Sequence, residues 1–167
     1  MIIWIASYPK SGNTWLRSLI SSYYFSKDKF NLSDLKKIPN FSVSDFINDS
    51  LLLQNGVDVA KQWLNVQREI NKNYKKTLFF KTHNASVAIN KNLFTDSDNT
   101  AGCIYVVRDP RNIITSYKNF EKKTYEEILN HMKNKEAFLF SEKKTGFKSF
   151  EFIGSWADNY NSWFHNK

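Results

Sequence analysis

An apolar run from Ile2 to Ala6 is halted by Tyr8-Pro9-Lys10-Ser11-Gly12-Asn13-Thr14-Trp15, after which apolar residues recur at Leu16, Leu19, Ile20, Tyr23 and Tyr24. The run and the Pro/Gly break read as a strand and a tight loop, and the recurrence is the spacing of one helix face. A strand that enters a helix through so short a loop aims consecutive backbone N–H groups, and the positive end of the helix dipole, at one place. That arrangement suits a phosphate-like anion. Lys10 and the hydroxyls of Ser11 and Thr14 add charge and donors. The nucleoside-triphosphate loop G-x-x-x-x-G-K-[ST] carries its lysine after the second glycine and its hydroxyl on magnesium. Here Lys10 precedes Gly12, the only glycine in the loop, so a different phosphate loop is implied and nothing in it demands a metal.

Two further strand-to-helix switches follow. Val59, Trp63, Val66, Ile70 and Tyr74 predict a helix over about 57–73, beyond a polar stretch, Ser26 to Ser50, read as loop with short helical pieces. Leu78-Phe79-Phe80 then predicts a short strand that delivers Lys81-Thr82-His83 at its C-terminal end, where open α/β sheets bind ligands. Asn84 to Thr100 reads as a surface loop whose Val87, Ile89, Leu93 and Phe94 line an acceptor site. Ala101 to Val107 is continuous and β-branched, as in a strand buried on both faces, and makes the single cysteine, Cys103, a small buried filler. It runs into Arg108-Asp109-Pro110-Arg111, with Asp109 as N-cap and Pro110 at the first position of a helix carrying Ile113, Ile114 and Tyr117. Thr124 and Glu127 match a capping box, Phe138 to Phe150 reads as a connection, and Ile153, Trp156, Tyr160 and Trp163 mark a closing helix. Three strand-then-helix units without repeats or linkers predict an α/β domain, 1–167, on a parallel sheet.

Composition narrows the class of partner. The chain has 167 residues, 41% of them hydrophobic, which is enough for one core. No apolar run approaches the roughly 20 residues needed to span a bilayer, and no leader pattern opens the sequence, so a cytoplasmic protein is expected. One cysteine allows no intrachain disulfide. A net charge of +8 favours anionic ligands, but the lysines are scattered instead of forming one dense arm, so nucleic acid is not the expected partner. No His, Cys or carboxylate spacing marks a metal site.

The string Tyr8-Pro9-Lys10-Ser11-Gly12-Asn13-Thr14-Trp15 resembles the donor loop of the cytosolic-type sulfotransferases, which carry a sulfuryl group from 3′-phosphoadenosine 5′-phosphosulfate (PAPS) to an acceptor. Lys81-Thr82-His83 resembles the family's catalytic segment, and Val106-Val107-Arg108-Asp109-Pro110 through Ser116 its 3′-phosphate segment, with arginine and serine eight positions apart. Gly154-Ser155-Trp156 and Trp163 are similar to a later helix of the family. The resemblance implies a three-layer P-loop-like fold with a parallel sheet, shortened at its C-terminus. Family members usually continue with another strand, an adenine-contacting segment and a late Arg-Lys-Gly segment. A sheet left short exposes an unpaired edge, which invites a homodimer.

The resemblance also assigns roles. His83 is the expected general base, because an imidazole titrates near neutral pH. Lys10 would neutralise the bridging oxygen of the phosphosulfate, and Lys81 would stabilise the transferring group. Backbone amides of Ser11, Gly12, Asn13, Thr14 and Trp15 would hold the 5′-phosphate, and the Trp15 ring would stack on adenine. Arg108 and Ser116 would bind the 3′-phosphate, Arg108 through its planar fork. The acceptor would be a small molecule or glycan, with no metal required. His131 and His165 lack partner motifs and read as structural or exposed. Two other classes stay open: a non-catalytic nucleotide-binding module, and a kinase-like phosphotransferase, which the displaced lysine disfavours.

Overall fold

The computed structural model describes residues 1–26, 31–47, 53–142 and 147–165. Its frame is a parallel sheet of β1 (Ile2–Ser7), β2 (Leu78–Thr82) and β5 (Thr100–Val106) in the order β2-β1-β5. Register pairs Ala6 with both Thr82 and Tyr105, and Ser7 with Val106, so all three strands end at the same edge. Because β1 is central, the chain leaves it for β2 on one side and later reaches β5 on the other. The crevice beyond β1 is therefore a topological switch point, where open α/β sheets bind ligands.

The helices are α1 (Asn13–Phe25), α2 (Gly56–Asn73), α3 (Pro110–Glu121), α4 (Tyr125–Lys133) and α5 (Trp156–His165). Their starts follow local chemistry. The Asn55 side chain accepts from the Val57 and Asp58 amides, Asp109 caps α3 ahead of Pro110, and Thr124 with Glu127 closes a reciprocal capping box. α2 buries Val59, Trp63, Val66 and Ile70 against Ile2, Trp4 and Phe80. Around Trp4 the rings of Phe41 and Phe94 stand 5.2 and 5.0 Å away, and burial of each phenyl contributes roughly 2 kcal/mol. A second cluster joins Tyr8 at the end of β1 to Ile113, Tyr117, Ile128 and Met132 of α3 and α4.

Several expectations are corrected. Phe138 to Phe150 is not a connection but part of an antiparallel hairpin, β6 (Phe138–Glu142) with β7 (Phe147–Phe152). Asn84 to Thr100 contains a small hairpin, β3 (Ala88–Ile89) with β4 (Asn92–Leu93), turned by Asn90 and Lys91 at positive φ. Phe94 is fully buried beside Trp4 and lines no acceptor site, while Ile89 packs against the same core. β5 is an edge strand, not one buried on both faces, and Cys103 on it is exposed. The stretch from Ser26, in contrast, is as expected a loop with short helical pieces: it holds two 3₁₀ turns, Leu32–Lys37 and Val43–Asp45, and buries Ile38, Phe41 and Val43, while Phe30 lies outside the described residues.

The helix face of α1 also differs from the apolar spacing. Tyr24 meets Phe79, which pairs with Ile3, so α1 lies on the sheet face opposite α2. It buries Asn13 and Ser21, with Arg17 half-buried between them, while Trp15 is 70% and Tyr23 82% exposed. Polar residues turn inward because they have work to do there. The Arg17 guanidinium donates to the carbonyls of Leu35 and Ile38, and Asn13 Nδ2 donates to the Ile5 carbonyl and the Ser7 hydroxyl at 3.0 and 3.1 Å.

Candidate active site

The loop leaving β1 turns on Lys10 and Gly12, both left-handed at φ 65° and 102°. Gly12 is the N-cap of α1 and no side chain caps that end, so its first amides are left without a side-chain acceptor. A residue with a β-carbon at Gly12 would be strained by this φ alone, since the space around it is open. Ser11 is buried, and its hydroxyl has no protein partner.

The three strand ends open into one cavity of about 670 Å³. The first contributes Lys10, Gly12, Asn13, Thr14 and Trp15, the second Lys81 and His83, and the third Arg108, followed by Ser116 from α3. Of the residues that the resemblance assigns to the donor and catalytic site, only Ser11 stays off the wall, and it is buried. Val87 and Leu93 instead line a separate groove of about 850 Å³ along β5, which contains none of these residues.

His83 is held at three points. Its Nδ1 lies 2.7 Å from the Ser7 carbonyl, which can only accept, so this nitrogen carries the proton and Nε2 is left as the acceptor. The His83 amide donates to Glu151 Oε1 at 2.7 Å, and its carbonyl accepts from Asn159 Nδ2 at 3.0 Å. Burial, then the neighbouring positive charge of Lys81, lowers the imidazole from its ordinary 6.5 to about 4, against the opposing pull of Glu151. It is neutral at physiological pH. Lys81 Nζ stands 3.4 Å from Glu151 Oε2, and both side chains are largely buried. Burial lowers the ammonium and the Glu151 charge counteracts it. Burial would raise the Glu151 carboxyl, but Lys81 and His83 outweigh it and hold it below its usual range.

Lys10 Nζ lies 4.0 Å from the centre of the Phe120 ring, and Arg108 Nη1 donates to the Lys10 carbonyl at 3.2 Å. Arg108 does not pair with Asp109. That carboxylate is taken by Arg111, whose hydrogen bonds lower it to about 2. His131 rests against the Tyr117 hydroxyl at 3.3 Å, as a structural residue would, and the His165 side chain lies outside the described residues.

Glu151, Asn159 and the Ser7 carbonyl, with Phe120, Glu121 and Leu139 on the cavity wall, are parts of this site that sequence reasoning passes over. Of these, Asn159 lies three residues beyond Trp156, on the helix that Gly154-Ser155-Trp156 opens. Among the described residues no group of three or more His, Cys, Asp or Glu could hold a metal ion, and no helix is long and apolar enough to cross a membrane. Comparison with curated proteins returns no match. A family model described as the sulfotransferase domain matches residues 2–167.

Proposed function

Because the chain belongs to the sulfotransferase domain family, whose chemistry is sulfuryl transfer, we propose that it moves the sulfuryl group of PAPS to a hydroxyl or amine acceptor, with His83 as general base. The observation that carries this reading is the convergence of Lys10, His83 and Arg108, from three different strand ends, on one cavity. An acceptor oxygen or nitrogen forms a bond to sulfur as the bond from sulfur to the bridging oxygen breaks. The proton of the acceptor passes to His83 Nε2, and the electron pair of the broken bond leaves on the phosphate of adenosine 3′,5′-bisphosphate. With Nδ1 committed to the Ser7 carbonyl, the neutral imidazole keeps Nε2 as its one site for that proton.

The cations divide the remaining charge. Lys10 neutralises the oxygen that departs, for which its ammonium leaves the Phe120 ring. Lys81 faces the transferring group, and Arg108 with Ser116 takes the 3′-phosphate. The uncapped amides of α1 and the unpartnered Ser11 hydroxyl suit the 5′-phosphate, and the exposed Trp15 ring suits the adenine. The test is calorimetric titration with adenosine 3′,5′-bisphosphate. Lys10→Ala and Arg108→Ala should each weaken binding about tenfold or more, the worth of one charge-assisted hydrogen bond. Equal affinity in all three proteins refutes the site.

A further inference from the structure

Glu151 reaches the site from β7, some seventy residues along the chain from the groups it touches, yet it does not line the cavity. Resting on the reading above, we propose that Glu151 is a positioning residue for sulfuryl transfer: seated between the Lys81 ammonium and the His83 amide, its carboxylate aims both side chains into the cavity. One oxygen, Oε1, accepts from the His83 N–H at 2.7 Å and lies 3.5 Å from Lys81 Nζ, while Oε2 lies 3.4 Å from the same nitrogen. A single carboxylate thus ties together the two residues at the end of β2 that the chemistry uses.

The physical need for it is plain. Lys81 is only 7% exposed, and an ammonium buried to that degree is kept charged by a close counter-charge or not at all. Of the other charged or titratable neighbours, the Glu121 carboxylate of α3 lines the same cavity but is not among the groups that bear on Lys81 or His83, and the rest are positive or neutral. Arg17 of α1 bears on both Lys81 and His83 with positive charge, Lys10 shares the cavity, and Tyr117 of α3 is held in its neutral form by burial. Glu151 is the one negative group acting on both residues. Removing its charge while keeping its shape should therefore displace two titrations in the same direction. Lys81 would lose its proton at lower pH, and His83 would gain one only at lower pH.

Glu151→Gln and Glu151→Asp test this, with PAPS itself as the calorimetric probe between pH 6.5 and 10. In Glu151→Gln the alkaline fall in PAPS affinity should begin about one to three pH units below that of the wild type, the usual reach of a lost counter-charge. Glu151→Asp, which keeps the charge, should retain the wild-type limb. The His83 ring proton resonance, followed without added nucleotide and assigned with His83→Asn, should still report a neutral imidazole at pH 4 in Glu151→Gln, where the wild-type ring is half protonated. If Glu151→Gln does not fold, Lys81→Met/Glu151→Gln should, because it removes the orphaned ammonium as well. A pH limb and a His83 titration identical to wild type in Glu151→Gln, or a double variant as unstable as the single effects summed, overturns the proposal. Failure of the wild type to bind PAPS at any pH refutes the function instead, and the His83 resonance then decides the role of Glu151 alone.

Discussion

Acidification should cost this protein stability at one identifiable group. His83 titrates at about 4 in the folded chain against 6.5 for a free imidazole, because burial and the positive charges of Lys81 and Arg17 disfavour its cation. Between those two values the unfolded chain holds a proton on His83 that the folded chain does not. The stabilisation is complete above pH 6.5 and is lost as pH falls through 4. A displacement of this size corresponds to about 3 kcal/mol, a large share of the stability of an ordinary domain. Urea denaturation of the wild type and of His83→Asn, from pH 7.5 to pH 4, separates this group from the carboxylates. Asparagine can still donate an amide proton to the Ser7 carbonyl but cannot titrate. Carboxylates held low, such as Asp109 and Glu127, contribute equally in both proteins and mostly below pH 5. The wild type should lose about 3 kcal/mol more than the variant across the range. Parallel stability curves would mean that His83 is not the buried neutral imidazole described above.

Asn13→Ala should lower stability by about 2 kcal/mol in urea denaturation at pH 7.5, because it leaves the Ile5 carbonyl and the Ser7 hydroxyl without the buried donor they share; a loss below about 0.5 kcal/mol refutes that role. Phe120→Leu removes the ring that holds Lys10 and should tighten adenosine 3′,5′-bisphosphate binding about threefold by calorimetry, the worth of an exposed cation–π contact; unchanged or weaker binding counts against it.

What was legible in the sequence was local. Each strand end announces itself by an apolar run followed within a few residues by Lys10, by Lys81 and His83, or by Arg108, and the parallel register then brings them together without further instruction. The capping groups at Asp109 and Thr124 act over two or three residues and are equally readable. What was not legible depends on distant partners. Nothing near Glu151 reveals that it meets Lys81 and His83, and the bulky alternation of β6 and β7 gives no clear face until their pairing is known. Helical spacing finds the two faces of α1 but not which one turns inward. That is decided by Asn13 and Arg17 reaching carbonyls on β1 and on the 3₁₀ segment. The apolar run of β5 likewise cannot declare that Ile104, the partner of buried Ile5, is 41% exposed at a sheet edge.

The three cations of the cavity differ in what holds them, and that difference orders their roles. Arg108 donates one hydrogen bond to a backbone carbonyl, Lys10 rests on an exposed aromatic face, and Lys81 pairs with a buried carboxylate. Partners of the first two kinds are worth about 1 kcal/mol or less each, so an incoming dianion displaces them readily. Separating Lys81 from Glu151 would leave a buried charge unpaired, which costs about 3–5 kcal/mol, more than a phosphate at the cavity wall returns. In the proposed reaction Arg108 and Lys10 would therefore move to grip the nucleotide. Lys81 would act from where it stands, with the reacting group brought to it and to His83.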